Sequence, residues 1–302
     1  METETKSQIV GFDLGGTSLK YGFGNTTDGL LFFDKKSHTE NSLEGLKNLF
    51  SQVFREIKSK DYTYKALAIA SPGVIDSVNG VVIGSTPNLP YLKDISLKNI
   101  LSEISGLPVF VENDANLMTL AESQECDTNS VVGITIGTGI GSGFVFDKKI
   151  FNGEYFRGME AGHMIIVPNG RQCLCSKKGC FEAYCSSESI KRIINELFPL
   201  TKGQNIFNIL NNHEPLIKQE INKILDIFAV GVSNLIMILN PGTVVLGGGV
   251  IEIEAFDFEY LSGKIINLLT PEFQNCIIKK AVHGNKAGVV GAMVYGDKMM
   301  ME

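Results

Sequence analysis

Ile9-Val10-Gly11-Phe12-Asp13-Leu14-Gly15-Gly16-Thr17-Ser18-Leu19-Lys20-Tyr21-Gly22-Phe23 reads as a strand, a glycine turn and a returning strand. One acid, Asp13, stands at the end of the first strand, just ahead of Gly15, Gly16 and Thr17. Such a turn leaves backbone N–H groups free, and with no Cβ in the way an anion can approach closely. Val131 to Phe146 repeats the plan: Val131-Val132-Gly133-Ile134-Thr135-Ile136, then Gly137-Thr138-Gly139-Ile140-Gly141, then Ser142-Gly143-Phe144-Val145-Phe146. A glycine-rich hairpin taken alone is most often only a hairpin. Two in one chain predict two halves of similar build that hold one polyphosphate between them.

The remaining composition narrows the class. A chain of 302 residues, 44% hydrophobic and 20% charged, has the make-up of an ordinary globular protein of one large or two medium domains. A net charge of −6 argues against a broad surface for neutralising nucleic-acid phosphates. The lysine pairs at 35–36, 148–149, 177–178 and 279–280 are isolated and read as solvated strand ends. Met1-Glu2-Thr3-Glu4-Thr5-Lys6 has no apolar core, so no signal peptide is expected. No uninterrupted apolar run reaches the roughly 18 residues of a membrane span. A secreted disulfide scaffold would be smaller and denser in cysteine. Four of the six cysteines crowd into residues 173–185, which points to a metal in a reducing, cytoplasmic compartment.

Along the chain, Gly29 to Phe33 reads as a third strand, and Ser42 as the N-cap of a helix with Leu43, Leu46, Phe50, Val53, Phe54 and Ile57 at helical spacing. Lys65 to Ala70 reads as a buried strand ending at Ser71-Pro72-Gly73, and Asp76 to Tyr91 as a long ordered loop of the kind that binds ligands. Asp94 to Ser105 has helical periodicity and stops at Gly106. Val109-Phe110-Val111 is a short strand with Glu112-Asn113-Asp114 at its end and a helix from Ala115 to about Cys126 beyond. Ligands gather outside the carboxyl ends of strands in open α/β sheets, so Asp114 is a site candidate; the competing reading is that Asn113 or Asp114 only caps the helix. Residues 152–182 are irregular. A long amphipathic helix then carries Ile217, Ile221, Ile224, Leu225, Phe228, Val232, Leu235, Ile236 and Leu239. Thr243 to Leu246 runs as a strand into Gly247-Gly248-Gly249, and Gly288 to Met293 opens the last helix.

Two familiar nucleotide motifs are missing. The P-loop pattern does not occur, and the dinucleotide fingerprint fails because Ser142 stands where its third glycine belongs. The more specific local signal is His163, Cys173, Cys175 and Cys180, spaced His-x9-Cys-x-Cys-x4-Cys. Three thiolates and an imidazole make a closed, structural zinc set, with Cys185 as an alternative ligand; the competing reading is a group of unconnected buried thiols. The spacing does not fit a nucleic-acid-reading zinc finger. Glu160 and Glu182 flank the set. Held rigidly, they suit acceptance of hydrogen bonds from a polyol; otherwise they are ordinary surface glutamates.

Taken together and in order, these elements resemble the ROK family of sugar kinases and sugar-responsive repressors. The matching segments are Asp13 to Thr17, Ser71 to Asp76, Pro87-Asn88-Leu89, Glu112 to Asn116, Gly137 to Gly141, Glu160-Ala161-Gly162-His163, Cys173 to Glu182, Gly247 to Gly249 and Ala287 to Ala292. The resemblance implies an α/β, two-domain actin-like ATPase (ribonuclease H-like) fold with an interdomain cleft. Its small N-terminal domain would comprise residues 1–113 plus 289–302, and its large domain residues 114–288, with a zinc loop at 160–182. It implies an ATP-dependent hexose kinase, glucose being the most economical substrate, with fructose, mannose, N-acetylmannosamine and N-acetylglucosamine as alternatives. Asp114 would be the general base for the 6-hydroxyl, and Asn88, Asn113, Asp114, Glu160, His163 and Glu182 would bind the sugar. Asp13 would place Mg²⁺. Gly15, Gly16, Thr17, Lys20, Gly137, Thr138 and Gly139 would line the phosphate path, and Gly247, Gly248 and Gly249 would lie against the adenosine. His163, Cys173, Cys175 and Cys180 would hold structural Zn²⁺. A homodimer is implied, with no nucleic-acid or membrane partner. The repressor branch carries an N-terminal helix-turn-helix, and the few residues ahead of Ile9 do not lead one to expect it here; a non-catalytic sugar sensor is the lesser expectation because a sensor need not keep a base such as Asp114. Two positions depart from the family pattern: Ser176 and Met159 stand where glycine is usual. If residue 176 needs φ > 0, serine costs about 1 kcal/mol there.

Overall fold

A computed structural model describes residues 7–38, 40–84, 86, 88–197, 215–253 and 256–301. Met1 to Lys6 and Pro87 of the quoted motifs lie outside them. The chain divides into two compact units, Met1–Glu125 with Lys148–Gly158 and Val282–Glu302, and Cys126–Asp147 with Met159–Ala281.

The first unit is built on the sheet β3-β2-β1-β4-β8. Its strands are β1 (Gln8–Leu14), β2 (Ser18–Asn25), β3 (Gly29–Ser37), β4 (Tyr64–Ser71) and β8 (Val109–Asn113). β1 and β2 form the antiparallel hairpin expected around Gly15, with Asp13 opposite Lys20, while β4 and β8 add in parallel. Helix α1 (Leu43–Lys58) starts where Ser42 accepts the Gly45 N–H at 3.0 Å, and its Phe50 ring stacks on Phe12 with centroids 5.8 Å apart.

Part of the expected long loop from Asp76 to Tyr91 pairs as short strands. Its two-residue strands β5 (Ile75–Asp76) and β6 (Val81–Val82) join β7 (Ile95–Ser96) in a small three-stranded sheet. Strands this short carry no readable alternation. Helix α2 (Leu97–Ser105) accordingly starts later than Asp94: Asp94 sits at φ 61°, and the Ser96 hydroxyl caps the helix by accepting the Asn99 N–H.

Helix α3 (Asp114–Ser123) follows β8 directly and packs along the last helix, α8 (Ala287–Met299). The units part after residue 125 and again before 282. From Ala115 to Glu122, every residue of α3 is buried. Residues 148–158, including the two-residue β11 (Lys149–Ile150), also go with the first unit.

The second unit repeats the plan. β9 (Ser130–Ile136) and β10 (Ile140–Phe146) are antiparallel, β12 (Thr243–Gly247) runs parallel to β9, and β13 (Ile277–Lys280) runs parallel to β12. The short α4 (Glu182–Cys185) and α5 (Ser187–Leu197) precede α6 (Pro215–Leu239), which packs on α7 (Phe258–Leu268). By length and composition α6 could cross a membrane, but its Ile221, Ile224, Leu225, Phe228 and Val232 are buried in this unit's core. Phe181, Phe228 and Phe256 pack ring on ring there, with centroids 5.1 and 5.9 Å apart.

Candidate active site

In the first unit the strand ends bring together Asp13, Lys20, Asn113 and Asp114. Lys20 Nζ donates to Asp13 Oδ2 at 2.9 Å, and the Asp13 side chain is only 13% exposed. The start of α8 comes up against the same carboxylate, because Gly288 has no side chain. A Cβ there would lie 2.6 Å from Asp13 Oδ2. Gly15 N donates to Ser18 O at 2.9 Å and closes the turn. Asn88 packs against Gly16, where a Cβ would meet it at 2.8 Å, so the Asn88 loop and the turn are neighbours. Thr17 is exposed.

Asn113 is the N-cap of α3. Its Oδ1 accepts the N–H groups of Ala115 and Asn116 at 2.9 and 3.1 Å, and its Nδ2 donates to Gly73 O at 3.0 Å. The capping reading is therefore correct for Asn113, whose amide is already engaged at both ends. Asp114 is the first helical residue, and its Oδ1 also accepts the Ala115 N–H at 2.9 Å. Burial pushes its carboxyl up to about 6, the Asp13 charge adds to the rise, and the Ala115 N–H and Lys20 oppose it. This differs from an ordinary carboxylate, which the position alone would lead one to expect.

Glu112 was not singled out by sequence reasoning. It is 1% exposed, and its carboxylate accepts from Asn113 N at 2.7 Å, Asn116 Nδ2 at 3.1 Å and Asn152 Nδ2 at 3.0 Å. One buried acid thus ties the β8–α3 corner to the segment carrying Asn152. Its place directly before Asn113-Asp114 was the available signal.

In the second unit, the turn Gly137-Thr138-Gly139 is the counterpart of Gly15-Gly16-Thr17. Gly247 to Gly249 follow β12, and Gly248 at φ 97° passes so close to Ile136 that a Cβ would lie 2.4 Å from its carbonyl oxygen. Glu160 and His163 are exposed, and His163 N donates to Glu160 O at 3.0 Å. Glu182 Oε2 accepts the Ile140 N–H at 2.9 Å.

The ligand atoms of His163, Cys173, Cys175 and Cys180 all lie within 4.8 Å of one another, so this group can hold a metal ion. Cys175 and Cys180 sulfurs are 3.5 Å apart, and Cys173 Sγ is 3.8 Å from His163 Nδ1. Tetrahedral zinc with bonds of about 2.0–2.3 Å places such atoms about 3.6–3.8 Å apart, so the donor set fits. Cys185 does not belong to it: the side chain is buried and its thiol points to Ile224 O of α6 at 3.7 Å. Ser176 adopts φ 70° and Met159 φ 61°, so both non-glycine departures sit in the left-handed region.

The family model described as "ROK family" matches residues 9–298. The chain belongs to the ROK family. Among ROK relatives, the glucokinase of Thermotoga maritima is 29% identical over 287 residues, 89% of this chain and 90% of that protein. The N-acetyl-D-glucosamine kinase of Vibrio atlanticus is 27% identical over 296 residues, 93% of this chain and 97% of that one. The crystal structure of the ROK hexokinase from Thermus thermophilus matches with a TM-score of 0.87 at 27% identity, covering 97% of this chain and 99% of that one. The α/β actin-like ATPase fold expected from the motifs is the fold of this chain.

Proposed function

We propose that the protein is an ATP-dependent sugar kinase that phosphorylates the 6-hydroxyl of a hexose, with glucose as the first substrate to test. The observation that carries the reading is Asp114. It is held at the first turn of α3, beside a glycine hairpin and Asp13, with a carboxyl near 6 that is mostly ionised at neutral pH. Such a group can accept a hydroxyl proton, and phosphoryl transfer asks of a protein mainly positioning and charge neutralisation.

The other roles follow from the family. Asn88, Glu160, His163 and Glu182 would bind sugar hydroxyls. Asn113 would do so only through what its cap and its bond to Gly73 leave free. Gly15, Gly16, Thr17, Lys20, Gly137, Thr138 and Gly139 would line the phosphate path, and Gly247 to Gly249 the adenosine. Asp13 would place Mg²⁺, which when bound offsets phosphate charge. His163, Cys173, Cys175 and Cys180 would hold Zn²⁺, which would pin the loop between Glu160 and Glu182. We place the enzyme in the cytoplasm as a homodimer.

Relatives named for glucose and for N-acetylglucosamine leave the sugar to experiment. A coupled ADP-release assay with glucose, fructose, mannose, N-acetylglucosamine and N-acetylmannosamine tests the reading. One sugar should stand out in kcat/KM. Sugar binding with no ADP release from any of the five would favour the non-catalytic sensor and end the kinase assignment.

A further inference from the structure

We propose that Glu182 is the positioning residue of the second nucleotide turn, Gly137-Thr138-Gly139, in addition to any contact it makes with sugar. The inference rests on the kinase reading above.

The turn is supported from one side by one short segment. Glu182 Oε2 accepts the N–H of Ile140 at 2.9 Å, and the Ser187 N–H donates to Gly137 O at 2.9 Å. Within the turn, Gly137 N donates to Gly139 O at 3.0 Å. Among the described residues, the N–H groups of Thr138 and Gly139 have no protein partner, so they are free for an anion. A bond to a carboxylate is stronger than a neutral one, and it sets the direction in which those two groups point.

The same contact explains a residue choice. A Cβ on Gly139 would lie 2.4 Å from Glu182 Oε2. Gly139 is therefore the space into which the carboxylate fits, not only a flexible link. The support is itself anchored. Phe181, next to Glu182, is fully buried against Phe228 of α6, and Cys180, one residue further back, belongs to the metal-ligand group. Glu182 Oε1 lies 3.9 Å from Cys173 Sγ of that group. One side chain thus touches both the cysteine loop and the turn, and the ordered loop holds the turn through it.

The test is calorimetric titration of the full chain with Mg²⁺ and a non-hydrolysable ATP analogue. Losing one charge-assisted bond that orients the turn should weaken binding about tenfold in Glu182→Ala. Glu182→Gln should bind within a factor of about three of the unsubstituted chain, because its amide oxygen can accept the same N–H. Gly139→Ala should be weakened like Glu182→Ala, and the double variant should be no weaker than either single one. A merely structural loss would not be rescued by glutamine. Unchanged affinity in Glu182→Ala, or losses that add in the double variant, would overturn the assignment while the kinase reading stands. Failure of the unsubstituted chain to bind the analogue at all would overturn both.

Discussion

Asn152 Nδ2 donates to Glu112 Oε2 at 3.0 Å, and so a residue of the 148–158 segment holds the acid that directly precedes the Asn113-Asp114 pair. Burial pushes the Glu112 carboxyl above the ordinary range, and bonds from Asn113, Asn116, Asn152 and Ser77 draw it back. Removing the acceptor leaves several buried donors unpaired. Glu112→Ala should lose about 2–4 kcal/mol of stability, and Asn152→Ala about 1–2 kcal/mol. The two losses should be less than additive in the double variant, because they share one bond. Urea unfolding of the four proteins is the check, and fully additive losses would show that the contact carries no energy.

Asp114→Asn should keep nucleotide and sugar binding and lose about 10²–10⁴-fold in kcat. In the unsubstituted enzyme, kcat/KM should rise with pH to a plateau, with its midpoint near the carboxyl value of about 6. The acid limb should vanish in the asparagine variant. Near-normal turnover in Asp114→Asn would remove the base assignment.

The same carboxyl makes a stability prediction of opposite sign. Its value is raised in the folded chain from 3.8 to about 6, so the fold disfavours the ionised form. The resulting cost is absent below pH 3.8, grows between the two values and is full above about 6. Asp114→Asn should therefore stabilise the chain at pH 7.5, by on the order of 2–3 kcal/mol, and by less at pH 5. Paired thermal melts at the two pH values measure it; an equal difference at both would contradict the assignment.

Ser176 is held at φ 70°, between Cys175 and Cys180 of the candidate metal group. Ser176→Gly relieves a conformation that L-residues disfavour, although glycine also gains freedom in the unfolded chain. The net gain should be about 0.5–1 kcal/mol in the metal-loaded protein, with unchanged metal content. A lower melting temperature would mean that the serine side chain makes a contact worth more than the strain.

Protein purified without chelator should carry one zinc per chain by elemental analysis. Cys173, Cys175 and Cys180 should resist alkylation until the metal is removed, and Cys185 should resist it until the chain unfolds. Rapid native labelling of all three loop cysteines with no bound metal would end the zinc assignment.

Much of the fold was legible because its signals are local. The two hairpins are carried by apolar strands around glycine-rich turns, α1 by its Ser42 cap and its apolar face, and the candidate metal group by three cysteines within eight residues. What escaped was short or distant. The strands β5 to β7 have two residues each, too few for any period to show. Asp94 fitted a helical pattern by composition, and only its backbone angle excludes it.

By itself, the order of residues determined the repeated strand–glycine–strand plan, the acids Asp13 and Asp114 at the ends of two strands of the first unit and the crowding of cysteines at 173–180, because each depends on neighbours a few positions apart. Tertiary structure alone decided that Cys185 turns into the core, that Glu112 gathers Asn116 and Asn152, and that Glu182 reaches the N–H of Ile140. Those contacts join residues up to 42 positions apart. A hydrogen bond or a buried thiol at that range is set by how helices and sheets pack, which no local pattern encodes.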